Sequence, residues 1–285
     1  MKMRSLLFVP GDRPERMQKA RGLGADILIL DLEDSVATAK KGDARKAVAD
    51  FLAEPRAIPI FVRVNAPAAL IEQDLAAVVP GRPDGIVLPK AEGGASIADL
   101  SRRLDLLGDK DARILPIATE TPAAIFGLGT YGNVTGRLCG LTWGAEDLPS
   151  AIGASTAREA DGTFTAPYQM VRSLALFAAH AAGVAAIETV YPALKDERGL
   201  MDYAMRARRD GFSGMLAIHP AQLAVIHAAF TPSPEEIAWA RRVVEAFGKD
   251  PDSGALQIDG QMMDAPHLKL ANQILAVIPG DPLRE

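Results

Sequence analysis

Eight short apolar runs, rich in aliphatic and β-branched residues, recur along this 285-residue chain and constrain its fold more than any other feature. The runs are nearly continuous in hydrophobicity rather than alternating, which is typical of parallel strands covered on both faces. In chain order they are SLLFVP (5–10), ADILILDLED (25–34), IPIFVRVN (58–65), GIVLPK (85–90), ARILPIAT (112–119), RLCGLTWGAED (137–147), AAIETVYP (185–192) and GMLAIHP (214–220).

Segments with helical spacing, such as SIADLSRRLDLL and YQMVRSLALFAAHAAG, lie between the runs. Eight β/α units predict an α/β protein built on a (β/α)8 TIM barrel, which we expect over residues 1–230. A doubly wound sheet is the alternative, but no GxGxxG motif follows the first run.

The chain continues beyond the eighth unit, and we expect residues 231–285 to form a C-terminal helical extension. TPSPEEIAWARRVVEAFGK begins with a Ser-Pro-Glu-Glu sequence suited to a helix N-terminus. The segment after it predicts a loop or short hairpin followed by a final helix.

Composition excludes several functional classes. The net charge of −5 argues against a general affinity for nucleic-acid phosphates. The single cysteine, Cys139, excludes an internal disulfide framework and fits a reducing cytoplasm. No stretch approaches the roughly 20 apolar residues that span a bilayer. We therefore expect a cytoplasmic protein that binds neither nucleic acid nor membrane.

Charged side chains follow most of the predicted strands, at the end where (β/α)8 enzymes carry their chemistry. Crowded carboxylates repel one another unless they are protonated or bound to a cation. Because oxygen ligands without a histidine or cysteine cluster favour Mg²⁺ over zinc, Glu120 and Asp147 are the best pair of metal ligands. The strand-end residues are Asp31, Glu33, Asp34, Arg63, Asn65, Lys90, Glu120, Glu146, Asp147 and His219.

The basic members of this set leave alternatives open. Arg63 offers a planar fork for a carboxylate or a developing enolate oxygen, or it forms a buried ion pair with Asp31 or Glu33. Lys90 binds substrate or serves as a structural partner of the acids. His219 is better explained as a structural histidine than as a base.

Seven motifs together resemble one family. RSLLFVPGDRPERMQKA, ILDLEDSV, FVRVN, VLPKAE, ETPAAI, GAEDL and GFSGMLAIHPAQ occur in order along nearly the whole chain. They resemble the citrate lyase β-subunit-like lyases, which include malyl-CoA and citramalyl-CoA lyases, of the HpcH/HpaI aldolase/citrate lyase superfamily. The resemblance implies a phosphoenolpyruvate/pyruvate-type barrel, often a homotrimer, that uses Mg²⁺ or Mn²⁺ and acts beside a CoA thioester.

The resemblance also assigns residues. Glu120 and Asp147 match metal ligands, Glu33 and Asp34 match acids that hold metal-bound waters, and Arg63 matches the substrate-binding arginine. The candidate substrate-binding set is Arg63, Glu120 and Lys90. Positions that match CoA contacts are Phe8, Arg13, Lys19, Ala217 and Ile218. Met215 departs from the family, which often has lysine there.

The segment DGQMMDAPHLKLA resembles the part of the family that carries an aspartate into a neighbouring subunit's site, here Asp264. We therefore expect the extension to pack on a neighbouring subunit of a trimer or hexamer. The implied reaction is retro-Claisen cleavage of a 3-hydroxy-3-carboxyacyl-CoA, of the malyl-CoA or citramalyl-CoA type, to acetyl-CoA and a 2-oxo acid. Arg63, Asp264, Glu33 and Asp34 are the expected catalytic residues.

Four other functions stay open. They are a citrate lyase β subunit acting on a citryl carrier, a malyl-CoA thioesterase, a metal-dependent pyruvate aldolase and a non-catalytic CoA-ester-binding subunit. Short citrate lyase β-like members lack the C-terminal segment, so its presence favours a free CoA ester. The aldolases tend to use a histidine base in the first third of the chain, and this chain has no histidine before His180.

Overall fold

The computed structural model describes residues 1–251 and 253–278. Eight parallel strands form one sheet in the order β5-β4-β3-β2-β1-β8-β7-β6. The outer strands are joined by backbone hydrogen bonds, Ala118 N to Thr142 O at 2.8 Å and Cys139 N to Ile114 O at 3.1 Å, so that the sheet is a nearly closed barrel. The predicted (β/α)8 fold is confirmed. The strands are β1 (Ser5–Pro10), β2 (Ile27–Asp31), β3 (Ile60–Arg63), β4 (Gly85–Leu88), β5 (Arg113–Pro116), β6 (Gly140–Thr142), β7 (Ala185–Glu188) and β8 (Gly214–Ala217).

Helices follow the strands in turn. Pro14 and Pro122 stand at the first helical position of α1 and α5, where a fixed φ favours the helix and no backbone donor is needed. The Asp196 side chain accepts a hydrogen bond from the Gly199 amide at the start of α8. These helices are α1 (Pro14–Ala20), α2 (Lys41–Leu52), α3 (Ala68–Val78), α4 (Gly94–Leu106), α5 (Pro122–Gly127), α6 (Leu148–Ile152), α7 (Ala166–Ala181), α8 (Glu197–Asp210) and α9 (Gln222–Ala229).

Two apolar layers explain why the strand sequences are hydrophobic on both faces. Alternate residues of β2 take opposite sides: Ile27 and Ile29 fill the barrel interior, whereas Leu28 and Leu30 pack in the layer that includes helix residues. The interior cluster consists of Leu6, Ile27, Ile29, Phe61, Val87, Leu115, Ile117, Ile187 and Leu216. The barrel is therefore a packed core, and its open polar surface lies at the strand ends.

The chain divides into two compact units, Met1–Phe230 and Thr231–Glu285. In the second unit, Ser233 and Glu236 form a reciprocal capping box at the start of its first helix. Its elements are α10 (Pro234–Lys249), β9 (Ala255–Ile258), β10 (Gln261–Asp264) and α11 (Ala265–Ala276), and they enclose a core of their own. Among the described residues, no helix combines the length and apolar character needed to cross a membrane.

Packing inside the barrel makes Gly85 sensitive to substitution. A Cβ at this position would lie 2.6 Å from the Phe61 ring, which fills the barrel interior. We expect Gly85→Ala to lower the free energy of unfolding by about 1–3 kcal/mol, measured by urea denaturation. Gly42→Ala in α2 is the matched control, since nothing lies within 4 Å of its added Cβ. Equal unfolding free energies for the two variants would contradict this packing.

Candidate active site

A cavity of about 420 Å³ opens where the strands of the barrel end. One part of its wall is apolar and includes Phe8, Ile117, Trp143, Val190, Leu216 and Ile218. Its charged lining residues are Asp31, Asp34, Arg63, Glu120, Glu146 and Asp147. The fold thus brings charged ends of β2, β3 and the segments after β5 and β6 to one cavity.

Arg63, the last residue of β3, is both a buried ion-pair partner and a cavity residue. Its Nε and Nη2 atoms each donate to one oxygen of Asp31 at 2.7 Å. Its Nη1 atom lies 3.1 Å from Glu33 Oε2, and its guanidinium lies 4.8 Å from the centre of the Phe8 ring. The ion pair foreseen as an alternative is present, and it orients the arginine rather than removing it from the cavity.

Electrostatics keep the Asp31–Arg63 pair charged. Burial alone would raise the pKa of Asp31, but the hydrogen bonds and charge of Arg63 outweigh it, and the pKa is lowered. Burial likewise opposes the charge of Arg63, but its hydrogen bonds to Asp31 and the negative charges of the nearby acids raise its pKa. The guanidinium therefore remains a permanent cation at the cavity wall.

Lys90 joins the acids of three strand ends. Its backbone amide donates to Glu120 Oε2 at 2.6 Å, and its Nζ atom lies 2.8 Å from Glu33 and 3.2 Å from Asp147. Burial would lower the pKa of Lys90, but the hydrogen bond and charge of Glu33 and the neighbouring acids raise it. The residue adopts a left-handed backbone, with φ of 53°, that few non-glycine residues tolerate. Lys90 therefore makes the contacts expected of a structural partner of the acids, which was one of its two predicted roles.

Glu120 is a buried carboxyl group whose one hydrogen bond within the described residues comes from the Lys90 amide. Burial raises the pKa of Glu120 to about 7, and the charges of Glu33 and Asp147 add to the effect. Gly144 explains how the next loop approaches this group, since a Cβ there would lie 2.8 Å from Glu120 Cγ. Thr119 fixes this approach through hydrogen bonds to both the amide and the carbonyl of Gly144.

Five carboxyl groups in contact with Arg63 or Lys90 form what we call the acidic cluster. With all groups ionised, five carboxylates and two cations leave a formal charge of −3. Two buried oxygens, Glu33 Oε2 and Asp147 Oδ2, are satisfied only by ion pairs with these cations, at 3.1 and 3.2 Å. Excess negative charge of this kind suits a divalent cation. The members are Asp31, Glu33, Asp34, Glu120 and Asp147.

The donor set identifies the kind of cation. Among the described residues, the charged metal-ligand groups that line the cavity are carboxylates, with no histidine or cysteine beside them. Zinc sites normally include histidine or cysteine ligands, whereas Mg²⁺ commonly takes one or two carboxylates together with water or substrate. Glu120 and Asp147, which interact electrostatically and both line the cavity, fit the second pattern.

The structure separates the predicted CoA-contacting residues. Phe8 and Ile218 line the cavity, whereas Arg13 and Lys19 are exposed at the start and end of α1. Ala217 is buried as the last residue of β8. Met215 is also buried in β8, which explains why an apolar residue is accepted at this position. Contact with CoA remains a prediction for all five.

Asp264 lies in the second unit, at the junction of β10 and α11. Its Oδ1 atom lies 2.6 Å from His267 Nδ1, which donates to it when this nitrogen carries the ring proton, and its backbone amide lies 3.3 Å from the same nitrogen. Its role in a neighbouring subunit's site stays a prediction. The spacing of three residues between the acid and the histidine matches a helix-capping pattern, which could have indicated this contact from the sequence.

Glu188 at the end of β7 is a buried acid behind the cavity wall that the sequence pattern did not reveal. It is fully buried, and its carboxyl group binds Trp143, a residue of the cavity wall. The signal was a lone acid in the apolar run AAIETV, at the strand end where the other acids were found.

Known proteins resemble this chain in both sequence and fold. Residues 4–220 match the model of the family described as HpcH/HpaI aldolase/citrate lyase. The chain belongs to this family. A "citrate lyase subunit beta-like protein" of Mycobacterium tuberculosis is 38% identical over 270 residues, covering 94% of this chain and 93% of the relative. A mitochondrial citramalyl-CoA lyase of Rattus norvegicus is 33% identical over 294 residues, covering 96% and 85%.

A solved structure of the family shares the whole fold. Protein CitE from Mycobacterium tuberculosis, in complex with magnesium, acetoacetate and coenzyme A, has a TM-score of 0.82 and 36% sequence identity. The match covers 96% of this chain and 97% of that chain. The family assignment made from sequence motifs is therefore confirmed.

The raised pKa of Glu120 predicts a pH-dependent stability in the absence of metal. Between its ordinary value of 4.5 and about 7, the native state holds a proton that the unfolded chain has lost, so stability falls as pH rises through this window. The loss is at most on the order of 3 kcal/mol. With EDTA present, urea denaturation at pH 5 and pH 7.5 should show a smaller fall for Glu120→Gln than for wild type. Identical pH dependence in both proteins would contradict the assignment.

Proposed function

We propose that this protein is a Mg²⁺-dependent carbon–carbon lyase that cleaves a 3-hydroxy-3-carboxyacyl-CoA of the malyl-CoA or citramalyl-CoA type. The products are acetyl-CoA and a 2-oxo acid. The observation that carries the proposal is the acidic cluster around Glu120 and Asp147, with the oriented cation Arg63 on the same cavity wall. Membership of a family whose relatives include a citramalyl-CoA lyase supports it.

Glu120 and Asp147 hold the metal in this proposal, with Mn²⁺ as a possible substitute. When bound, the divalent cation supplies Lewis-acid polarisation of the substrate hydroxyl and of the emerging keto group. Glu33 and Asp34 belong to the same acidic cluster and would accept hydrogen bonds from water bound to the cation. The CitE structure with magnesium, acetoacetate and coenzyme A supports both the metal and the CoA part of the substrate.

Arg63 stabilises the charge that develops on the substrate. Asp31 occupies its Nε and Nη2 atoms, so the guanidinium is held before substrate arrives and needs little reorganisation during the reaction. The substrate hydroxyl gives up its proton to bulk water, and its carbon–oxygen bond becomes the keto group. The carbon–carbon bond breaks in the same step, and its electron pair passes to the thioester fragment as the enolate of acetyl-CoA. A fixed cation favours this enolate more than it favours the neutral thioester. Lys90 neutralises part of the acidic cluster beside the 2-oxo acid.

Asp264 of a neighbouring subunit returns a proton to the enolate carbon, or removes it in the condensing direction. This role makes the protein a homo-oligomer, a trimer or hexamer, in which the C-terminal unit of one protomer completes the site of the next. The carboxyl group of Asp264 is about 40% exposed and hydrogen bonded to His267, so it is accessible in the single chain.

The charge of the cavity favours malyl and citramalyl esters over citryl esters. Arg63 is the one cationic side chain among the described residues that line the cavity, and it already binds Asp31. A citryl ester carries one further carboxylate, which would face Glu120, Glu146 and Asp147 or the apolar wall. A buried charge without a partner costs several kcal/mol, whereas a hydrogen atom or a methyl group is accepted by an apolar wall.

A substrate panel tests the proposed function. Purified protein with Mg²⁺ is given malyl-CoA, citramalyl-CoA, citryl-CoA and citrate, and acetyl-CoA, free thiol and 2-oxo acid are quantified. We expect acetyl-CoA and glyoxylate or pyruvate from one or both of the first two esters, and no turnover with excess EDTA. Free CoA thiol with intact malate would identify a thioesterase, and preferred cleavage of citryl-CoA would contradict the charge argument.

The role of Asp264 is tested by replacing it with asparagine. Asn caps a helix as well as Asp does, so Asp264→Asn preserves the start of α11 but cannot transfer a proton. We expect turnover to fall by about 10²–10⁴-fold while Mg²⁺ binding, followed by calorimetry, is unchanged. Gln261→Ala, on the same strand, is the control. Wild-type turnover in Asp264→Asn would remove this residue from the mechanism.

A further inference from the structure

Glu188, the last residue of β7, is a fully buried acid whose carboxyl group is saturated with donors. Its Oε1 atom accepts hydrogen bonds from Trp143 Nε1, from the Thr189 amide at 2.8 Å and from the Tyr203 hydroxyl at 2.8 Å. Its Oε2 atom accepts from Arg172 Nε at 2.7 Å. Four donors from four parts of the barrel therefore converge on one side chain.

Arg172 forms an ion pair with this carboxyl group and connects it to the helical layer. It lies on α7, donates through Nη1 to Asp210 at the end of α8, and stacks 4.7 Å from the centre of the Phe212 ring. Burial would lower the pKa of Arg172, but the charge of Glu188 and the bond to Asp210 raise it. A buried ion pair of this kind is weak evidence for stability alone, because desolvation offsets much of the attraction.

Two of the four donors belong to residues that line the cavity. Trp143 and Thr189 form part of its wall, although Trp143 itself is fully buried. The indole packs edge-on against Phe164, with ring centres 5.0 Å apart. The hydrogen bond to Glu188 in addition opposes sliding of the indole within its own plane. The other two donors, Arg172 and Tyr203, do not line the cavity.

Trp143 also stands at the start of the segment that carries Asp147. The next residue, Gly144, lies against Glu120 so closely that an added Cβ would come within 2.8 Å of its side chain. A shift of the Trp143 backbone therefore changes the separation of Glu120 from the segment 144–147. The hydrogen bond from the Trp143 indole to Glu188 can therefore set the position of Asp147 relative to Glu120.

We propose that Glu188 is a positioning residue: by holding Trp143 and Thr189, it fixes the cavity wall and the spacing between Glu120 and Asp147. The assignment of these two acids as metal ligands rests on the proposed function. The prediction of a fixed wall rests only on the hydrogen bonds of Glu188. The two claims are separable because the first concerns metal and turnover, and the second concerns the environment of an indole ring.

The test compares Glu188→Gln with wild type, both with Trp239→Phe so that Trp143 is the only tryptophan. Asp109→Asn is the matched control, since Asp109 forms a buried ion pair with Arg137 before β5 and β6, at the opposite end of the barrel. Near-ultraviolet circular dichroism of Trp143, calorimetric binding of Mg²⁺ with pyruvate, and kcat and KM are measured for each protein, with unfolding free energies alongside.

We expect Glu188→Gln to weaken the Trp143 dichroism band, to lower the Mg²⁺ affinity about tenfold and to reduce kcat by about 10–100-fold, with KM for the thioester changed far less. Asp109→Asn should leave all of these unchanged at a comparable loss of stability. A Glu188→Gln protein with wild-type dichroism and Mg²⁺ affinity would overturn the proposal. If wild type cleaves no ester, the proposed function fails, but dichroism and metal binding still decide the role of Glu188.

A double-mutant cycle guards against a Glu188→Gln protein that simply fails to fold. Trp143→Phe keeps an aromatic ring at this position but removes the N–H group together with part of the buried indole, so its unfolding free energy is measured alongside. We expect Trp143→Phe to reproduce most of the loss in Mg²⁺ affinity, and Glu188→Gln to add little in that background, because the two residues act through one bond. Wild-type Mg²⁺ affinity in Trp143→Phe, or full additivity of the two losses, would show that the coupling does not pass through Trp143.

Discussion

Carboxyl groups brought together in a partly buried cavity repel one another, and each must find a proton, a cation or a hydrogen-bond donor. Five of them meet at the strand ends of this barrel, with two basic side chains between them. Arg63 is taken up mainly by Asp31, and Lys90 is shared by Glu33 and Asp147. Glu120 is left with a single amide and a pKa of about 7.

The surrounding backbone holds these carboxyl groups close together, although they outnumber the basic side chains between them. Gly144 lets the loop after β6 close on Glu120, and Thr119 holds it there through both backbone polar groups. Lys90 takes a left-handed conformation that allows its amide and its ammonium group to serve different acids. The left-handed backbone of Lys90 and the excess negative charge of the acidic cluster are both unfavourable for stability. Features of this kind are found at functional sites, and this one is suited to binding a divalent cation and an anionic substrate.

The fold was predictable because buried parallel strands have a distinctive hydrophobic pattern, and each of the eight strands lies within its predicted run. The residues at which the strands begin and end were harder to predict. The run at 137–147 forms a strand only from Gly140 to Thr142, because the chain then turns to bring Gly144 against Glu120. The order of residues contains no direct sign of that tertiary contact.

The sequence predicted which strand-end residues meet at the mouth of the barrel, but not which of them form hydrogen bonds or ion pairs with one another. Acids at strand ends indicated Glu120 and Asp147, and a common barrel end implied that they meet. That Asp31 orients Arg63 could be stated only as one alternative, because it depends on the register of β2 against β3. Glu188 was missed because an acid within an apolar run gives no indication of its partners, which come from distant parts of the chain: Trp143, Arg172 and Tyr203.

The most direct test of the central claim is a crystal structure with Mn²⁺ and pyruvate, in which the metal is located by its anomalous scattering. The account predicts one metal peak in the cavity, bonded at about 2.0–2.3 Å to a carboxylate oxygen of Glu120 and one of Asp147, and absent in Glu120→Gln. An empty cavity at saturating Mn²⁺, or a metal held without Glu120 and Asp147, would contradict it.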